Sequence, residues 1–269
     1  MKQYYYYLVA GLPDLLRGEQ KKTVPYEEIR REILQELSPE DRDIIHWICY
    51  RYDNSNILSL LTQKDRFDSR GIYSREILEF RMETREGLPS YISEFLTARS
   101  EEKKIYADLD DEEELSALYY RDLLQQDNAF IRHWAEFEIN LHNFLGARTA
   151  RLLDKPQEKS ILPLNDSAEI MAKSTSDDFG LGSRFPWIED LLQHADVPLK
   201  LEDRIDAVIW NHLEEFTEGC YFTVEVVAAF MIRLNTIQRW QNLDPERAKK
   251  KIHTLLNNIQ SVVKIEKGK

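Results

Sequence analysis

Glycine and proline are scarce, with nine of each in 269 residues. A chain built on many tight turns needs more of both, which disfavours β-sandwich and barrel classes and favours long helices. Cysteine is scarcer still. Cys49 and Cys220 stand far apart in apolar stretches. That spacing offers no metal-binding pair and reads as two buried, reduced thiols of a cytosolic protein. Long apolar runs are missing too: no uncharged stretch approaches the roughly 18 residues that a bilayer span needs. After Met1-Lys2-Gln3 the apolar run Tyr4 to Leu12 is short and tyrosine-rich, unlike a secretory leader. Direct membrane insertion is therefore not expected.

Positive charge is in short supply. Lys and Arg number 36 against 48 Asp and Glu, a formal net charge of -12. Such a surface repels phosphate backbones, so no nucleic-acid partner is expected. Two local basic stretches, Lys249-Lys250-Lys251 and the Lys264 to Lys269 tail, read as a solvated helix face and a chain end. Chemistry-bearing motifs are lacking as well. Phosphate-binding glycine loops, a Gly-x-Ser-x-Gly elbow and His-Glu-x-x-His do not occur. No catalytic residue, cofactor or metal is assigned.

Present instead is a globular balance, 42% hydrophobic and 31% charged, with ample aromatic core material. Tyr4 to Ala10 is open between a short strand and the first turns of a buried helix. Its four tyrosines read as rings packed alternately on the body, with a binding surface as the other reading. Tyr26 to Leu37 has apolar residues at helical spacing. Ser38-Pro39-Glu40-Asp41 is a helix start, with an N-cap, a proline at the first position and acids in the first turn. That helix runs to about Gln63. Ser74 to Arg99 is helical with an interruption at Gly87 and Pro89. The acidic run Asp108 to Glu114 suits a helix N-terminus. Helix then continues to Leu153, in two pieces meeting near Gln126-Asp127-Asn128. Asp154 to Arg184 has weak periodicity and reads as a long loop, interfacial or flexible. Helices are expected again at 186–194, 202–216, 219–240 and 245–263, the last opened by Asp244-Pro245. The class is all-α.

One segment occurs twice. His46-Trp47, Asn56 and Leu58 recur as His133-Trp134, Asn143 and Leu145, 87 residues later. Tyr50 aligns with Phe137, Asp53 with Asn140 and Ile57 with Phe144. A fainter third copy begins at Gly219, with Phe222 at the aromatic position, Glu225 at the polar one and Phe230 at the Leu one. Ala228 stands where Asn is expected. Repetition at this scale predicts similar units in a row, here about 1–100, 101–185 and 186–269 of one domain spanning 1–269.

On a helix, His46, Tyr50, Asp53 and Ile57 share one face, as do His133, Phe137, Asn140 and Phe144. Polar groups on a largely apolar face must be paired when buried. Asp53 with Asn56, and Asn140 with Asn143, are therefore expected to tie helices together or cap loops within each unit. A helical-bundle metalloenzyme using His46, Asp53, His133 or Glu138 is a competing reading. One carboxylate and one histidine per helix is a common coincidence, however.

The Asp53-x-x-Asn56-Ile57-Leu58 element, set in a threefold helical repeat, resembles the C (or d) subunit of V-type and archaeal-type rotary ATPases. A basic residue follows the pattern there. Here Leu61 holds that place in copy one, with Lys64 close by, and Arg148 and Arg233 hold it in copies two and three. Tyr4 to Ala10 resembles that subunit's aromatic start. Tyr221 to Leu256, with Glu225, Arg233 and Leu243-Asp244-Pro245-Glu246, resembles its last unit. More closely, the whole chain is similar to a bacterial family of uncharacterised function that accompanies V-type ATPase subunits. The resemblance implies three helical units forming a funnel, with no catalysis of its own. It implies as partners the central rotor stalk and the membrane rotor ring. It also implies a cytoplasmic place, peripheral to the inner membrane through the complex. A helical-repeat adaptor outside any rotary ATPase is the alternative.

Overall fold

The structure is a computed structural model that describes residues 3–18 and 23–241. Among the described residues it is all helix, with eleven α-helices and no strand. The expected helix over 245–263, its Asp244-Pro245 start and both basic stretches lie outside the described residues.

Three long helices each start at a side-chain cap. Helix α1 spans Tyr6–Gly11, α2 Tyr26–Glu36 and α3 Pro39–Leu61. Ser38 Oγ accepts a hydrogen bond from Asp41 N at 3.3 Å, and Pro39 occupies the first turn of α3. Helices α4 (Arg75–Thr84) and α5 (Ser90–Ser100) flank the expected Gly87-Leu88-Pro89 break. The acidic run does cap a helix. Asp110 Oδ1 accepts from Glu112 N and Glu113 N at 3.0 and 2.9 Å, opening α6 (Asp111–Leu124). Asn128 caps α7 (Ala129–Leu152). Such caps satisfy amides that the first helical turn leaves without partners.

The stretch over 154–184 departs from expectation. It holds a short 3-10 turn, Gln157–Ser160, and α8, Asp166–Lys173. Ile161, Leu162, Met171, Phe179 and Leu181 are buried in the core. Weak periodicity hid this because these side chains pack against α7 and not along one helix face. Gly146 of α7 makes the approach possible, since a Cβ there would lie 2.4 Å from the carbonyl oxygen of Ser160. Helices α9 (Trp187–Gln193), α10 (Pro198–Thr217) and α11 (Val224–Gln241) complete the described chain. Compared with expectation, α10 starts four residues earlier and α11 five residues later. Pro198 supplies the first-turn proline of α10.

Helix α6 packs on both α3 and α7, and α11 packs on α2, α3 and α10. The buried side chains form one connected cluster from Tyr5 to Leu234. Tyr5 ties the start of the chain to the α10–α11 connection and to α3. Its amide donates to the Phe222 carbonyl at 2.6 Å, and its hydroxyl donates to the Asp41 carboxylate at the start of α3. Alternation of the four tyrosines does not hold. Only Tyr5 is buried, while Tyr7 is 96% exposed and Tyr4 and Tyr6 are more than half exposed. Cys49 is buried as expected, but Cys220 is only half-buried in the α10–α11 connection, and both thiols are free.

Candidate functional site

The repeated segment occupies the middle of α3 and of α7, where its polar residues are buried. Asp53, Asn56, Asn140 and Asn143 are each at most 3% exposed. Each asparagine at the second polar position grips one residue of a following loop by both its backbone groups. Asn56 Nδ2 donates to the Asp68 carbonyl at 3.0 Å, and Asn56 Oδ1 accepts from Asp68 N at 2.6 Å. Asn143 Nδ2 donates to the Leu162 carbonyl at 3.0 Å, and its Oδ1 accepts from Leu162 N at 2.7 Å. A primary amide presents donor and acceptor side by side, as an edge strand does, so it satisfies two buried backbone groups at once.

The first polar position works beside it. Asp53 accepts from the amides of Ile72 at 2.8 Å and Tyr73 at 3.3 Å. Gly71 lets the loop come this close, because a Cβ there would sit 2.3 Å from Asp53 Oδ1. Burial pushes the Asp53 carboxyl up to about 7, against the two amides, which favour the charged form. Asn140 Oδ1 instead accepts from Asn165 Nδ2 at 3.1 Å, and Asn165 Oδ1 caps α8 through Ala168 N. Asp53 and Asn56 thus fasten the 62–74 loop to α3. Asn140 and Asn143 fasten the 161–168 segment to α7.

The two copies also meet. Arg51 and Glu138 occupy the same position of the repeat, 87 residues apart, and pair at 2.7 Å. Glu138 is nearly buried, and its other oxygen accepts from the Tyr120 hydroxyl on α6 at 3.4 Å. Sequence reasoning missed this pair, although opposite charges at equivalent positions were its visible signal. Arg30, Gly71 and Asn165 were missed as well. Arg30 donates to the carbonyls of Arg70 and Gly71 and so closes the 62–74 loop onto α2. Arg70 continues to Asn235 on α11.

The remaining expected positions stand apart from these clamps. Arg148 is half-buried on α7. Glu225 lies in the first turn of α11. Arg233 lies over the Trp210 ring, 5.0 Å from its centroid, with Glu214 at 3.9 Å. Ala228, at the asparagine position of the third copy, is fully buried. The residues of the metalloenzyme reading are bound up separately. His46 faces Asp43 at 3.6 Å, Asp53 holds backbone amides, Glu138 pairs with Arg51, and His133 contacts the Phe216 ring. Among the described residues no group of three His, Cys, Asp or Glu side chains is placed to hold a metal ion. No described helix is long and apolar enough to cross a membrane.

A family model described as a protein of unknown function (DUF2764) matches residues 1–263. The chain belongs to that family. No curated protein and no solved structure matches it. The family description names no activity and no partner.

Proposed function

We propose that the chain is a non-catalytic coupling subunit of a V-type or archaeal-type rotary ATPase. In this reading three similar helical units form a funnel between the central rotor stalk and the membrane rotor ring. The observation that carries the reading is the duplicated clamp. Asn56 and Asn143 each seize both backbone groups of one loop residue, and the equivalent residues Arg51 and Glu138 meet between the copies. Buried polar contacts of this kind fix the geometry of a unit. A part that transmits torque needs such stiffness. The resemblance of Asp53-x-x-Asn56-Ile57-Leu58 to the repeat of the C (or d) subunit supplies the machine in which that stiffness has a use. The subunit then stays peripheral to the membrane, held there by its partners.

An affinity-tagged chain expressed at native level, recovered from gently solubilised membranes, tests this. Stalk and ring subunits in fixed proportion to the tagged chain are the expected result. A complex that contains other proteins and consistently lacks both would instead support a helical adaptor outside the ATPase.

A further inference from the structure

A cleft of about 220 Å³ opens between α7, α9 and α10. That is room for about seven water molecules, and less than a drug-sized ligand or cofactor needs. It suits one side chain. Aromatic rings make its walls. Phe137 stacks on His212 with centroids 3.8 Å apart and planes 23° apart. Phe185 stacks on Trp187 at 5.6 Å and 24°. Phe216 closes the third side, 4.0 Å from His212. Phe137 and Trp187 meet edge to face at 6.3 Å and 78°, so the two stacked pairs form walls at nearly a right angle around one small space.

Glu136 is the one carboxylate of the lining and is exposed at the edge of the cleft, and His133, also exposed, is beside it. Neither Lys nor Arg lines the cleft. Burial, with His133 close by, pushes His212 down to about 4, so that imidazole is a neutral wall at ordinary pH. The -12 net charge of the chain adds a long-range attraction for cations. Asn140 lies in the same wall, its oxygen taken by Asn165. The clamp of the second repeat therefore stiffens the cleft as well.

We propose that this cleft binds the guanidinium of an arginine side chain presented by a partner protein. Ring faces attract a cation through their quadrupoles, and a flat guanidinium can stack on one aromatic wall while its N–H edge points along the other, which a tetrahedral ammonium cannot do. The Glu136 carboxylate accepts its N–H groups in a fork at the rim. The proposal stands on the cleft alone and does not require the rotary-ATPase reading.

Titration of the full chain with N-acetyl-argininamide tests it, read by the indole N–H signal of Trp187 in NMR and assigned with Trp187→Phe. Saturable movement of that signal is expected. N-acetyl-citrullinamide, the neutral isostere, and N-acetyl-lysinamide should bind at least about tenfold more weakly. Glu136→Gln, at an exposed position, should weaken the arginine probe about threefold or more. Equal binding of the citrulline or lysine probe, or no saturable movement at Trp187, overturns the proposal.

Discussion

Helices α3 and α7 hold their loops with the same amide but surround it differently. On α3 the neighbour of the clamping asparagine is Asp53, an acid facing backbone amides. On α7 it is Asn140, which cannot titrate. The Asn56 clamp grips Asp68, which is half-buried, while the Asn143 clamp grips Leu162, which is fully buried. One brace is thus sensitive to protons and partly wet, and the other is indifferent to protons and dry. Duplicated geometry does not carry duplicated energetics, because the worth of a buried polar contact depends on what remains when it is lost.

The sharpest way to break the comparison is to make the first copy resemble the second. An unfolded aspartate titrates near ~3.9, and Asp53 in the fold does so at about 7. Below both values each state holds the proton and Asp53 contributes no pH dependence. As pH rises from ~4 to ~7 the unfolded chain releases its proton first, so stability falls, and it levels off above ~7. Asp53→Asn removes this fall. Its stability relative to wild type should rise by up to about 4 kcal/mol between pH 4 and pH 8, followed by urea denaturation across that range. A difference that stays flat with pH would show that Asp53 is not buried as a proton-binding acid.

Next in size is the contrast between the clamps themselves. Asn143→Ala leaves the amide and carbonyl of Leu162 without partners in a dry site and should cost about 3 kcal/mol. Asn56→Ala exposes a loop that water can reach and should cost about 2 kcal/mol or less. Equal losses in chemical denaturation would erase the distinction between a wet and a dry brace. The link between copies is smaller. Arg51→Met should cost about 1–2 kcal/mol, because Arg51 is partly exposed and Tyr120 still donates to Glu138. A double-mutant cycle with Glu138→Gln should show coupling, and additive losses would mean the pair contributes nothing jointly. Smallest are the caps. Ser38→Ala and Asn128→Ala should each lower stability by about 1 kcal/mol, equally for both motif helices, as thermal melts can check.

Much of this contrast was legible beforehand, and for a local reason. Asp53 with Asn56, and Asn140 with Asn143, lie three residues apart on one helical face, so their shared direction follows from helix geometry. Their need for partners follows from burial. Which partners they took did not follow. The gripped residue lies 12 positions after Asn56 but 19 after Asn143. The first loop is drawn in by Gly71 and Arg30, and the second by Gly146 and the cap at Asn165. None of those residues repeats at the spacing of the motif. The 154–184 segment hid its core residues because they meet α7 one by one, without a period.

By itself the sequence determined the helical class, the cap at Ser38, the acidic helix start within 108–114, the break near 126–128 and the duplicated polar positions. All of these rest on interactions within four or five residues, which the local order of side chains controls. Only the tertiary structure decided that Arg51 meets Glu138, that Asp53 is dry enough to hold a proton near neutrality, and that α7, α9 and α10 leave an aromatic cleft. Those depend on how distant segments displace water from one another, and no local spacing records that.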